Sequence, residues 1–290
     1  MTQENHTYVL TAQCKSEIGT VDAITHLLYQ RKCYINEIQS FDDKVSKEFF
    51  FRAEFINTAQ DEMPISQLEE EIAPQAEKFD MQWEIRPLKQ PTKLLILVSK
   101  FDHCLNDLLY RYRTGDLNVE IPAIISNHPD LEDLAKVHDI PYYHFPITKE
   151  TKPEQEAKIL EVLKETGADL VVLARYMQVL SDDMCRSLNG KAINIHHSLL
   201  PGFKGAKPYH QAFDKGVKLV GATAHFVSSD LDEGPIIAQG VEAVDHTYTP
   251  EKLVAKGRDI ESLTLARAIR MYAQHRIFLN GDKTIVFPQG

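Results

Sequence analysis

The strongest constraint on this chain is a pair of unbroken apolar runs, residues 93–99 (KLLILVS) and 169–174 (DLVVLA), separated by helical patterns. A strand with one wet face alternates apolar and polar residues, whereas an unalternating run must be buried on both faces. Between the two runs come a helix-like stretch at 105–112, a strand at 119–126, a helix at 131–138, a short strand at 141–144 and an amphipathic helix at 153–166. Strands that alternate with helices predict a doubly wound, mostly parallel α/β sheet, which binds ligands beyond its C-terminal strand ends where strand order switches. The pattern goes on through a strand at 236–244 and a helix over 250–275, with Leu253, Ile260, Leu263, Ala266 and Ile269 inward. Two last strands, 276–280 and 283–287, flank Gly281 and Asp282 and read as a hairpin.

A different rhythm precedes this. Residues 7–13 form a strand, Gly19 opens a helix with Val21, Ile24, Leu27 and Leu28 on one face, and 33–41 is a second strand. A turn at 42–44 leads into the strand 48–56, with Phe49, Phe51, Ala53 and Phe55 on one side. A second helix carries Ile65, Leu68, Ile72 and Ala76; Pro74 must kink it or lie near its end. Residues 81–85 close the set as a strand, giving the ferredoxin-like order β-α-β-β-α-β. This segment resembles an ACT domain, a small module that pairs across subunits and senses amino acids. ACT ligand loops carry an Asp-Arg-Pro-Gly type turn, and here residues 15–19 (KSEIG) keep only its glycine. The resemblance implies a homodimer or homotetramer and leaves an amino-acid effector open. Residues 86–92 (RPLKQPT) hold two prolines and suit a linker, so the expected layout is an ACT-like domain at 1–88, a linker at 89–92 and a catalytic domain at 93–290.

Composition narrows the partners. A net charge of −10 offers no global attraction for nucleic acid. Cys14, Cys33, Cys104 and Cys185 form no CxxC pair, which argues against a zinc site or disulfide framework and for free thiols in a reducing compartment. No signal peptide and no membrane-length apolar run is evident, so a cytoplasmic protein without a membrane partner is expected.

Chemistry gathers in one region. The apolar strand at 193–197 delivers Asn194 and His196 two residues apart, hence on one face, and His197 by alternation to the other. Ser198, Leu199, Leu200 and Pro201 follow; the strand 222–227 then carries His225, and Asp232 stands before Gly234 and Pro235. Amide, imidazole and carboxylate together can stabilise an oxyanion and activate water or an amine. In this reading Asn194 donates to a carbonyl oxygen, His196 donates to the same oxygen or to the leaving nitrogen, Asp232 positions or deprotonates the nucleophile, and His225 orients Asp232. No HxxxH or HExxH spacing links His196, His197, His210 and His225, so no metal is expected.

These motifs, in this order and spacing, resemble the folate-dependent formyltransferase fold over roughly residues 92–280. The resemblance implies that Asn194, His196 and Asp232 are the catalytic group and that 10-formyltetrahydrofolate is the substrate, with no tightly bound cofactor. It also puts a folate surface at Arg175, Tyr176, Met177 and Val179, with Lys204, Lys207 and Arg175 available to the folate glutamate tail. Members that act on glycinamide ribonucleotide hold its phosphate in a Gly- and Ser-rich turn after the first strand. Here that turn is residues 99–105 (SKFDHCL), without glycine and with Phe101 and Asp102 in the way. Water is therefore the expected nucleophile, releasing formate for purine biosynthesis and one-carbon balance. Formyl transfer to a small amine and a non-catalytic folate- or amino-acid-sensing protein are the alternatives.

Overall fold

The structure, a computed structural model, describes residues 7–58, 64–202 and 208–289. Two compact units divide the chain. One comprises the described residues up to Gln90 with Gln274–Asn280 and Ile285 onward; the other comprises Pro91–Ala273 with Gly281–Thr284.

In the first unit β1 (Thr7–Lys15), α1 (Thr20–Gln30), β2 (Cys33–Asp43), β3 (Glu48–Asn57), α2 (Ile65–Lys78) and β4 (Gln82–Pro87) follow in order. The sheet runs β2-β3-β1-β4 with antiparallel pairings. Phe49, Phe51, Ala53 and Phe55 join Leu10, Ile24, Leu28, Leu68 and Ile72 in the core, as period-2 and period-3.6 patterns require. Pro74 lies inside α2, where it removes one backbone donor. β4 extends to Pro87, so the link to the next strand is shorter than the proline content suggested.

β3 is buried on both faces. On the second face Phe50 packs edge-on against Phe278, which meets Phe287 in turn. Beside them, the fully buried Arg52 donates from Nη1 to Glu37 at 2.6 Å and from Nε to the Gln274 carbonyl at 3.0 Å. Arg276 donates to the same Glu37 oxygen at 2.8 Å. Burial alone would raise the Glu37 pKa, but the two guanidiniums outweigh it and hold the carboxyl below its usual range. These contacts draw residues 274–280 and 285–289 into the first unit, so the expected span 93–290 does not hold at its C-terminal end.

The second unit contains β5 (Thr92–Val98), α3 (His103–Thr114), β6 (Val119–Ser126), α4 (Glu132–Val137), β7 (Tyr142–His144), α5 (Lys152–Thr166), β8 (Leu170–Leu173), α6 (Asp182–Ser187), β9 (Ala192–His196), α7 (Pro208–Lys215), β10 (Leu219–Phe226), β11 (Ile236–Ala243) and α8 (Pro250–Ala273). β12 (Ile277–Asn280) and β13 (Lys283–Val286) complete the chain. The sheet order is β11-β10-β9-β8-β5-β6-β7, parallel from β9 to β7, with β10 antiparallel to both neighbours. From β5 the chain moves outward to β6 and β7, then returns to add β8 on the other side. The resulting switch point opens a crevice between the ends of β5 and β8.

β5 and β8 are buried on both faces, as their unalternating sequences require. α8 packs against β10, β11 and α3. One expectation fails there: Leu263 is 59% exposed, while Glu261 is buried at 2%. The inward stripe runs through Leu253, Gly257, Ile260, Glu261, Thr264, Leu265 and Ala268, a helical face that carries a carboxylate. Among the described residues no helix is long and apolar enough to cross a membrane.

Candidate active site

Three adjacent strand ends build the site. β9 ends at His196, and the antiparallel β9–β10 register sets Asn194 directly opposite His225. Asn194 Nδ2 lies 3.2 Å from His225 Nε2, while His225 Nδ1 lies 2.8 Å from the Phe226 carbonyl. A carbonyl can only accept, so Nδ1 carries the proton and Nε2 accepts from the Asn194 amide. Burial lowers the His225 pKa more than the Phe226 carbonyl and Asp232 raise it, which favours this neutral form. A register shift in the β10–β11 pairing falls at Ala224/His225, where such irregularities re-aim a side chain.

Asp232 reaches back from the β10–β11 connection with φ 58°, an uncommon conformation for a residue with a side chain. Its Oδ1 is 3.2 Å from His196 Nδ1 and 3.8 Å from His225 Nε2. Burial pushes its carboxyl upward, but His196, by hydrogen bond and charge, and then His225 and His197 bring the net shift downward. Gly234 explains part of the motif after Asp232. A Cβ at this position would lie 1.8 Å from the Phe226 carbonyl oxygen, the atom that fixes the His225 tautomer. The other nitrogen of His196, Nε2, is buried and has no hydrogen-bond partner among the described residues.

Asn194, His196, His225 and Asp232 line one cavity of about 580 Å³. Met177 and Val179, both at least half exposed, form part of its apolar wall. Amide, imidazole and carboxylate thus converge on a space large enough for a drug-sized ligand.

The sequence from 92 to 269 matches the family model for formyl transferases. The chain is 52% identical over 279 residues to a formyltetrahydrofolate deformylase of Corynebacterium sp. (strain P-1), covering 96% of this chain and 97% of that protein. The chain belongs to the formyltetrahydrofolate deformylase family. A solved formyltetrahydrofolate deformylase from Burkholderia mallei superposes with a TM-score of 0.94 at 54% identity, covering 98% of this chain and all of that one. A glycinamide ribonucleotide transformylase from Symbiobacterium toebii superposes with a TM-score of 0.64 at 29% identity, covering 69% of this chain and 95% of that one.

The remaining residues expected at the site fall in different places. Tyr176 lines the cavity but is buried, its hydroxyl paired with Gln155, and burial pushes its pKa up to about 12. Lys204 and Lys207 lie outside the described residues. Arg175, with φ 65°, is buried; its Nε lies 3.3 Å from Glu261 Oε2 without hydrogen-bond geometry, and its guanidinium stacks 5.1 Å over the Phe101 ring. His197 also lines this cavity. Because β9 stops at His196, strand alternation does not carry to His197, which meets the His196 ring at 5.0 Å and the Tyr209 ring at 6.4 Å.

Sequence reasoning missed Glu261 and Tyr209. The Glu261 carboxylate accepts from Tyr209 Oη at 2.9 Å and lies 2.8 Å from His103 Nε2. Burial opposes its ionisation, yet His103, Arg175 and Tyr209 together lower its pKa. Gly257, one turn earlier on α8, makes room: a Cβ there would lie 2.1 Å from the Tyr209 ring. The available signal was an acidic residue on the apolar face of α8. His103, Cys104 and Glu261 are also spaced closely enough to hold a metal ion. They are poor ligands as they stand, because burial raises the Cys104 pKa well above its ordinary value and Glu261 is already engaged.

Proposed function

We propose that this chain hydrolyses 10-formyltetrahydrofolate to formate and tetrahydrofolate. The observation that carries the reading is the coupled group Asn194–His225 and His196–Asp232 at one end of a folate-sized cavity. Support comes from full-length relatives named for that activity.

In the proposed reaction, ionised Asp232 orients a water and takes its proton as the oxygen attacks the formyl carbon. Charge that builds on the formyl oxygen is met by the Asn194 amide, held in place by neutral His225. When both ring nitrogens of His196 carry protons, Nδ1 donates to Asp232 and Nε2 is free to donate to the same oxygen. Collapse of the tetrahedral intermediate breaks the bond from carbon to N10, and the proton gathered from water goes to that nitrogen. Met177 and Val179 contribute apolar wall for the folate, and the buried Tyr176 lines the same cavity.

The reading extends to the rest of the chain. Released formate serves one-carbon balance and purine biosynthesis in the cytoplasm. Residues up to 88 act as an ACT-like module that joins copies into a homo-oligomer and can take an amino-acid effector. The edge strand β2, with Tyr34, Ile38 and Phe41 exposed, offers a surface for such pairing. The test of the reaction is formate and tetrahydrofolate release from 10-formyltetrahydrofolate with no acceptor present; release that depends on an added amine would contradict it.

A further inference from the structure

We infer that Phe101, His103, Arg175 and Glu261 form an acceptor-excluding wall, a specificity device that leaves water as the only nucleophile able to reach the formyl carbon. The inference rests on the hydrolytic reading above and adds which residues enforce it.

The wall is delivered by strand ends next to the one that carries His196. β8 pairs with both β9 and β5, Leu173 lying beside Asn194 on one side and Leu97 on the other. Arg175 leaves β8 two residues later, the turn after β5 supplies Phe101, and the first residue of α3 is His103. The two loops are tied together where Met177 N–H donates to Ser99 Oγ at 3.0 Å. All four wall residues line the same cavity as Asn194, His196 and Asp232.

Charge makes the wall selective. A primary amine reaches an enzyme mostly as an ammonium and needs a carboxylate to receive it. Among the described residues lining this cavity, the acidic side chains are Asp232 and Glu261. Asp232 faces His196, while both oxygens of Glu261 are occupied, Oε1 by Tyr209 and Oε2 by His103 and Arg175. Arg175 also places a fixed positive charge in the cavity. Its influence reaches His197, whose pKa is lowered to about 4 by burial first and then by Arg175 and His196. An incoming ammonium therefore meets the Arg175 cation and a Glu261 carboxylate already shared by Tyr209, His103 and Arg175, while neutral water is not repelled.

The left-handed backbone at Arg175 supplies a clean variant, since glycine adopts that conformation without strain. Arg175→Gly removes the charge and the volume together and releases one contact on Glu261. With the wall opened, an amine can attack the formyl carbon: a new N–C bond forms, the bond to N10 breaks, and the amine proton passes through Asp232 to N10.

The experiment follows the ratio of formylated amine to formate, by mass spectrometry, when full-length protein turns over 10-formyltetrahydrofolate with glycinamide in large excess. Wild-type protein should yield formate alone. Arg175→Gly should raise the ratio by about tenfold or more above background. Phe101→Ala, at a partly exposed position, should raise it by a smaller factor and serves as the test if the first variant does not fold. A ratio unchanged from wild type in whichever of these variants fold and turn over overturns the inference. Formate release by wild-type protein without amine tests the underlying reading separately, so the two can fail independently.

Discussion

Asn194 Nδ2 and His225 Nε2 lie 3.2 Å apart across directly opposed positions of β9 and β10, and the Phe226 carbonyl fixes which ring nitrogen accepts. His225 is thus closer to Asn194 than to Asp232, from which it is separated by 3.8 Å. In the proposed reaction it holds that amide still while charge develops on the formyl oxygen.

This relation predicts non-additive losses. Asn194→Ala should lower kcat by about 10²-fold, the usual cost of one oxyanion donor. His225→Ala should lower kcat by about 10-fold or more with KM little changed, and the double variant should be no more than a few-fold worse than Asn194→Ala alone. Losses that multiply across the two sites would show that His225 acts independently.

His197 predicts a pH dependence of stability. Its folded pKa of about 4 lies below its ordinary value of 6.5. The unfolded chain therefore binds the proton more readily, and the stability that comes from keeping this ring neutral is complete above pH 6.5 and declines as pH falls toward 4. Urea midpoints taken at pH 7 and pH 5 should show that decline, and His197→Asn should reduce it. An identical decline in the variant would remove His197 as its source.

A third prediction concerns the first unit. Glu37 receives both Arg52 and Arg276, and Arg52 is fully buried. Glu37→Ala leaves a guanidinium buried without its main counter-charge, at a cost of about 3 kcal/mol. Equilibrium unfolding in urea measures the loss, and a change below about 1 kcal/mol would mean that the pair is compensated by other acceptors.

The sheet and the shared face of Asn194 and His196 were legible because their signals are local in sequence, whereas Asp232 was joined to them only through the resemblance of two separated motifs to a known family. Unalternating strands announce two-sided burial, and residues two apart on a strand share a face. What stayed hidden depends on where elements stop and on what packs across long separations. His197 enters the cavity only because β9 ends one residue earlier. Glu261 is 158 positions from His103 and 52 from Tyr209, and no local period reports such pairings. The same limit applies to the C-terminal residues: Phe278 and Phe287 read as parts of a hairpin, while their burial depends on Phe50.

In the proposed reaction Asp232, with His196 and Asn194, drives attack by water on a folate-bound formyl group. The most direct test measures formate release from 10-formyltetrahydrofolate, without acceptor, by wild-type protein and by Asp232→Asn, alongside folate binding by each. Wild-type protein should release formate, and the variant should lose about 10³-fold or more of that rate with folate binding largely kept. An Asp232→Asn protein that turned over at the wild-type rate would contradict it.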